Sequence, residues 1–158
     1  MMLKNKVFIV CGVPASGKSW VCNQLKGDYK YIPHDGWGQR FEKSGDEYLE
    51  EYADAILGAC KSSHKPILGD CPFAERKLRD LLRARRVEAD FLFLKIDDST
   101  LTDRYRERNK PIPKGHFSRL NSIPGRAAEW RAFYGSSTEA LEHLKSLLSK
   151  SSPGCLQP

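Results

Sequence analysis

Apolar residues fall into two rhythms along this chain. Lys6–Cys11 (Lys-Val-Phe-Ile-Val-Cys) is an unbroken, β-rich run bounded by glycine, the form of a strand buried on both faces. Lys30–Pro33 is a briefer run of the same kind, Lys65–Gly69 is a second buried strand ending at Asp70, and Phe91–Ile96 is the clearest strand of all. Between these runs the spacing changes to three and four. Trp20, Val21 and Leu25 suit a helix closed by Gly27, whose missing Cβ permits a left-handed C-terminal turn. From Asp46, the positions Leu49, Tyr52, Ala53, Ile56, Leu57 and Cys60 recur at helical spacing, with Glu47, Glu50, Glu51 and Asp54 on the other side. Leu78, Leu81 and Leu82 mark a helix whose remaining face is crowded with arginines. Past Ile96 a helix runs through Arg108 into the Pro/Gly-containing segment Pro111–Gly125. Helical patterns follow around Trp130–Tyr134 and Leu141–Leu148, the last preceded by Ser136 and Glu139 at capping-box spacing.

Strands alternating with helices imply right-handed crossovers, and each crossover helix must pack back onto a face of the sheet. The class is α/β, a three-layer arrangement of about four parallel strands flanked by helices. Residues 1–150 are expected to form a single domain with a small helical lid at about 109–125, and 151–158 a flexible Ser/Pro/Gly-rich tail. A length of 158 residues suits one such domain. The apolar runs are far short of the ~20 residues that span a bilayer, and no secretory pattern opens the chain, so a cytoplasmic protein without membrane contact is expected. Five scattered cysteines, an odd count, argue for reduced thiols. The series Cys60, His64, Cys71 lacks the close pair and fourth ligand of a zinc site. A net charge of +6 favours anionic partners: nucleotides, nucleic acids or phosphate esters.

One motif narrows that choice. Gly12-Val-Pro-Ala-Ser-Gly-Lys-Ser19 stands directly after the first strand and opens the first helix, matching G-x-x-x-x-G-K-[ST]. Glycines let the backbone curl so that successive N–H groups face a polyphosphate, and the helix start adds its positive dipole end. Lys18 reaches the β and γ phosphates and Ser19 holds Mg²⁺. Gly12, Pro14, Ala15, Ser16 and Gly17, with Lys18, Ser19 and Trp20, are thus the expected nucleotide-binding set. ATP is favoured over GTP because Asn109-Lys110-Pro111 fails the Asn-Lys-x-Asp pattern for guanine.

Phosphoryl transfer further needs a group to orient and deprotonate an acceptor, a carboxylate near the metal, and cations over the moving phosphoryl group. Asp35, in Ile32-Pro-His-Asp-Gly-Trp, falls where an acceptor-facing loop leaves the carboxyl end of the sheet, with His34 beside it as a further substrate contact. Asp70 ends an apolar strand, the position from which a carboxylate reaches a magnesium water shell. Arg104 and Arg108 stand one helical turn apart, and Lys110-Pro-Ile-Pro-Lys-Gly-His116 has the make-up of a lid.

Together, Gly12–Ser19, the acidic loop at Asp35, Asp70 and the Arg104/Arg108 pair leading into a proline-containing lid resemble the small P-loop kinases. The resemblance is greatest to the kinase domain of phage-type polynucleotide kinases and related phage kinases of DNA bases, over most of residues 6–120. It implies that Lys18 and Ser19 bind ATP and Mg²⁺, that Asp35 activates an acceptor hydroxyl, and that Arg104 or Arg108 stabilises charge on the phosphates. Where that family places an arginine three positions after its base, this chain has Gly38, and the nearest arginine is Arg40.

Nucleic acid is the expected acceptor. Arg76, Lys77, Arg79, Arg83, Arg85 and Arg86 form a basic helix, and Tyr29, Tyr31, Trp37 and Phe41 flank Asp35 where bases can stack. A nucleoside, a nucleoside monophosphate or a small metabolite is the alternative acceptor. An ATP-driven switch is disfavoured because Cys71, rather than a water-polarising glutamate, follows Asp70. A noncatalytic nucleotide binder is disfavoured by the joint presence of Lys18, Ser19, Asp35 and Asp70. Asp35→Asn is expected to leave ATP affinity intact while lowering turnover ~10²–10⁴-fold, the worth of a general base, in a steady-state transfer assay.

Overall fold

The computed structural model describes residues 6–12, 16–34, 46–71, 75–94, 96–109, 111, 132–134 and 136–151. Among these residues five strands alternate with five helices: β1 Val7–Cys11, α1 Lys18–Gln24, β2 Lys30–Ile32, α2 Asp46–Ser62, β3 Ile67–Cys71, α3 Glu75–Ala84, β4 Ala89–Leu94, α4 Asp98–Glu107, β5 Ala132–Tyr134 and α5 Ser137–Ser151. The sheet order is β2-β3-β1-β4-β5, and every pairing is parallel. The α/β class is as expected. The sheet has one strand more than expected, because Trp130–Tyr134, whose i, i+3, i+4 apolar spacing reads as helical, contains the edge strand β5 paired with Leu92–Leu94. Three residues are too few to show a two-residue alternation.

The central strands are apolar but for Asp70 in β3 and Asp90 in β4, because they are covered on both faces. All five residues of β1 and of β3 are buried, and so is the second half of β4. Burying a side chain such as Ile9, Leu68 or Leu92 stabilises the fold by about 1.5–3 kcal/mol each. Helices α1 and α5 pack together, as do α2 and α3, giving a three-layer sandwich. The former pair is pinned by Tyr29, a buried residue after α1, whose ring meets Phe8 edge-on at 5.9 Å and whose hydroxyl donates to the Leu144 carbonyl of α5 at 2.9 Å.

The ends of the helices follow the sequence with one exception. Helix α1 stops at Gln24 with Leu25 as its cap (φ −108°), and Gly27 takes no left-handed conformation; the glycine turn expected there is absent. The buried stripe of α1 is Val21, Cys22 and Leu25, while Trp20, about 100° round the helix from Val21, is 47% exposed. No described helix is long and apolar enough to cross a membrane. The expected lid lies outside the described residues except for Asn109 and Pro111.

At the start of α4, Asp97 accepts from the Thr100 N–H (2.8 Å) and the Ser99 hydroxyl (2.7 Å). These donors, the Thr100 amide foremost, lower its carboxyl from 3.8 to about 2. A depressed folded-state pKa gives stability that is present above the unfolded value and lost as pH falls through the folded one. Asp97→Ala is therefore expected to be less stable than the parent at neutral pH. In urea melts the gap should persist down to about pH 4 and close as the pH approaches 2.

Candidate functional site

β1 is flanked by β3 and β4, and the chains leaving β1 and β3 diverge, one into α1 and the other into α3. The carboxyl ends of β1 and β3 thus form the crevice where open α/β sheets bind ligands. The glycine motif occupies this place. Gly12 extends the ladder past β1 by donating its N–H to the Cys71 carbonyl at 3.3 Å. The chain then curls back so closely that a Cβ on Gly12 would fall on the hydroxyl of Ser16. Gly17 has φ +96°, a left-handed value, and caps the N-terminus of α1; a Cβ there would collide with Ser137 Oγ. A glycine is required at both positions, at one for space and at the other for conformation as well.

Ser16 is wholly buried, and its hydroxyl has no hydrogen-bond partner among the described residues. Leaving a buried hydroxyl unmatched costs about 1–3 kcal/mol, a cost that an acceptor-rich group seated in the loop removes. An orphan donor, a backbone curl closed to side chains and a helix N-terminus suit phosphate oxygens. Lys18 and Ser19 follow directly at the start of α1, both half-buried. Pro14 and Ala15 lie outside the described residues.

The second part of the site is Asp70, the penultimate residue of β3, fully buried. One carboxylate oxygen accepts from the backbone N–H of His34 at 2.6 Å and the other from the Tyr31 hydroxyl at 2.9 Å. Its backbone N–H donates to the Tyr52 hydroxyl (2.9 Å), which in turn donates to the Ile32 carbonyl at 2.6 Å. This set of bonds ties the end of β2 to the end of β3. Asp70 is no helix cap, since α3 starts only at Glu75. Its charge also reaches the inner end of α1. Burial raises the Cys22 thiol well above its ordinary value, with Asp70 raising it further and Lys18 opposing, so the lysine and the carboxylate are felt at the same sulfur. Burial, with Asp70 again adding, pushes the Tyr52 hydroxyl well up, so it stays a neutral donor.

His34 stands half-buried with its ring edge-on to Tyr48 (5.1 Å) and Tyr52 (5.4 Å) of α2. Asp35 and Arg40 lie outside the described residues, but Asp35 directly follows the His34 held by Asp70. Of the Arg104/Arg108 pair, Arg104 comes to the loop: its Nη1 lies 3.5 Å from the point where a Gly17 Cβ would stand. Arg108 is the exposed C-terminal cap of α4 and lowers the Tyr105 hydroxyl, which burial raises.

Arg79 is not brought to the loop. With Leu82, Arg83 and residues Glu88–Phe91 it lines a cavity of about 260 Å³ beside the first residues of β4, the pole opposite the carboxyl ends of the strands. The basic helix α3 runs toward that same far pole, and there Arg85 is bonded to Asp54 at 2.7 Å. Two of the expected stacking residues are already engaged, Tyr29 with Leu144 and Tyr31 with Asp70. Trp37 and Phe41 lie outside the described residues.

The sequence reading missed Tyr52 and Ser137 as parts of the site, and it took Tyr31 as a stacking platform rather than as a donor to Asp70. Tyr52 was legible only as a member of an apolar stripe, and the pairing of Ser137 with the loop spans 121 residues.

No family model matches the chain, and no curated protein matches it. Among solved structures it is similar to the tunicamycin resistance protein of Deinococcus radiodurans, with a TM-score of 0.76 and 15% identity over 91% of this chain and 95% of that one. A sugar kinase from Janibacter sp. HTCC2649 is similar over 98% of this chain and 99% of its own, with a TM-score of 0.68 and 18% identity. An APS kinase from Mycobacterium tuberculosis, solved with AMPPNP and APS, is similar over 92% of this chain and 98% of its own, with a TM-score of 0.58 and 15% identity. At these identities the likeness is one of fold, a three-layer α/β sandwich about a parallel sheet.

Tyr52→Phe removes one oxygen and strands the Asp70 N–H and the Ile32 carbonyl inside the protein. Denaturant unfolding is expected to show a loss of about 1–3 kcal/mol.

Proposed function

We propose that this protein is an ATP-dependent phosphotransferase that moves the γ-phosphate to a hydroxyl of a small polar acceptor. The observation that carries the reading is the loop itself. A left-handed Gly17, a buried orphan hydroxyl on Ser16 and the guanidinium of Arg104 all meet around one helix N-terminus. Such an arrangement suits a chain of phosphates and little else.

In this reading the acceptor oxygen attacks the γ-phosphorus, the bond from phosphorus to the β–γ bridging oxygen breaks, and ADP leaves. The acceptor proton passes to the carboxylate of Asp35, held next to the His34–Asp70 bond by chain connectivity. Lys18 neutralises charge on the β and γ oxygens, and Arg104 does so from the α4 side. Loop N–H groups and the Ser16 hydroxyl fix the phosphates in line with the acceptor, so that positioning and electrostatics supply most of the rate. Ser19 and Asp70 are the residues that would hold Mg²⁺, which when bound draws charge off the phosphates.

Two observations favour a small acceptor over the nucleic acid expected from the sequence. Arg79 and Arg83 of α3 line a cavity beside the first residues of β4, at the pole away from the loop. Tyr29 and Tyr31, candidate stacking platforms, are engaged by Leu144 and Asp70. The similar structures named as a sugar kinase and an APS kinase point the same way.

The test is transfer of labelled γ-phosphate from ATP to a panel of sugars, sugar acids, aminoglycoside-like alcohols, nucleosides, nucleoside monophosphates, and 5′-hydroxyl DNA and RNA. Label on a small alcohol is expected. Label on polynucleotides alone would overturn the acceptor class, and hydrolysis of ATP indifferent to any acceptor would overturn phosphotransfer. Lys18→Ala should lower transfer at least ~10²-fold while leaving the melting temperature unchanged, because the lost charge acts on the reacting phosphates.

A further inference from the structure

We propose that Ser137, the first residue of α5, is a positioning residue for the nucleotide phosphates. This rests on the nucleotide-binding reading above and adds to it a member from the far end of the chain. Ser137 is 9% exposed, and its hydroxyl donates to the carbonyl of Ser16 at 3.1 Å across 121 residues of sequence.

The consequence follows from peptide geometry. In a trans peptide the C=O of one residue and the N–H of the next point in opposite directions. Holding the Ser16 carbonyl toward α5 therefore turns the Gly17 N–H away from α5. Gly17 is the residue whose φ of +96° makes this peptide unusual, and the peptide next to a glycine is the one freest to turn over. Ser137 also fills the space behind Gly17, where a Cβ would have stood, with Arg104 Nη1 at 3.5 Å from the same point. One hydroxyl thus sets the loop's orientation and closes its back.

The two serines at this helix start divide the work. Ser136 caps α5, its hydroxyl accepting the Glu139 N–H at 3.1 Å and its carbonyl accepting the Ala140 N–H at 3.3 Å. Helix capping therefore makes no demand on Ser137, whose hydroxyl serves the loop. Helix α5 is a firm base for it, since Ala140, Leu141 and Leu144 are buried and the Leu144 carbonyl takes the Tyr29 hydroxyl at 2.9 Å. A loop fixed before the ligand arrives spends less binding energy on ordering itself.

The experiment is calorimetric titration of Mg·ATP, without acceptor, into the full-length parent, Ser137→Ala and Ser137→Thr, with thermal melts of all three. Ser137→Ala is expected to raise the ATP dissociation constant about three- to tenfold, the worth of one hydrogen bond. Its melting temperature is expected to fall as well, because the buried Ser16 carbonyl loses its donor, and Ser137→Thr, which keeps the hydroxyl, should restore affinity. A purely structural serine would lower the melting temperature and leave the affinity of the folded protein unchanged. Unchanged ATP affinity in Ser137→Ala, with a parent that binds, overturns this inference alone. A parent that does not bind Mg·ATP overturns the nucleotide reading and this inference with it.

Discussion

At Gly12 and again at Gly17 the chain comes too close to its own folded neighbours to tolerate a side chain. Gly12 lies against the hydroxyl of Ser16, and Gly17 in its left-handed conformation lies against Ser137. Such a bend has little of its own to hold it. It persists because β1, a fully buried strand, delivers it, α1 carries it away, and α5 backs it from behind. The buried residues of β1, α1 and α5 pack on one another whatever the ligand, so much of the energy that holds the loop comes from apolar contacts away from any phosphate.

Asp70 organises the other half of the crevice by similar means. A carboxylate buried in a sheet is costly unless donors surround it, and here the donors are the His34 backbone and the Tyr31 hydroxyl. The same bonds fix the last residues of β2, the short strand that leads to Asp35. The electrostatic need of the buried acid and the need to aim an acceptor-side loop are met by one set of contacts. Tyr52, sunk between α2 and the sheet, completes it through the backbone of Asp70 and Ile32.

How much of this the sequence discloses depends on how local each feature is. The glycine motif is legible because its spacing is dictated by backbone curvature within eight residues, Gly12–Ser19. The α2 stripe and the apolar strands are legible because burial imposes a period on neighbouring positions. Trp20 is misplaced by that reasoning, since a seven-residue helix has too few turns to define its buried side, and Val21, Cys22 and Leu25 take it. β5 is hidden because its three residues pair with a strand some forty positions earlier in the chain, so no local period marks it. Arg104 and Arg108 look equivalent at one turn's spacing, yet the helix ends between them at Glu107, and it is Arg104 whose guanidinium stands beside Gly17. Tyr31, Tyr52 and Ser137 act through single hydroxyls on partners fixed only by the tertiary fold.

The bond from Ser137 to Ser16 also bears on the order of assembly. As the chain leaves the ribosome, β1 and the first bend are made early, but the strut that braces them lies 121 residues further on. A nascent chain lacking α5 has the whole glycine motif without the hydroxyl that braces Ser16. The final set of this loop is thus a late event of synthesis relative to the motif itself.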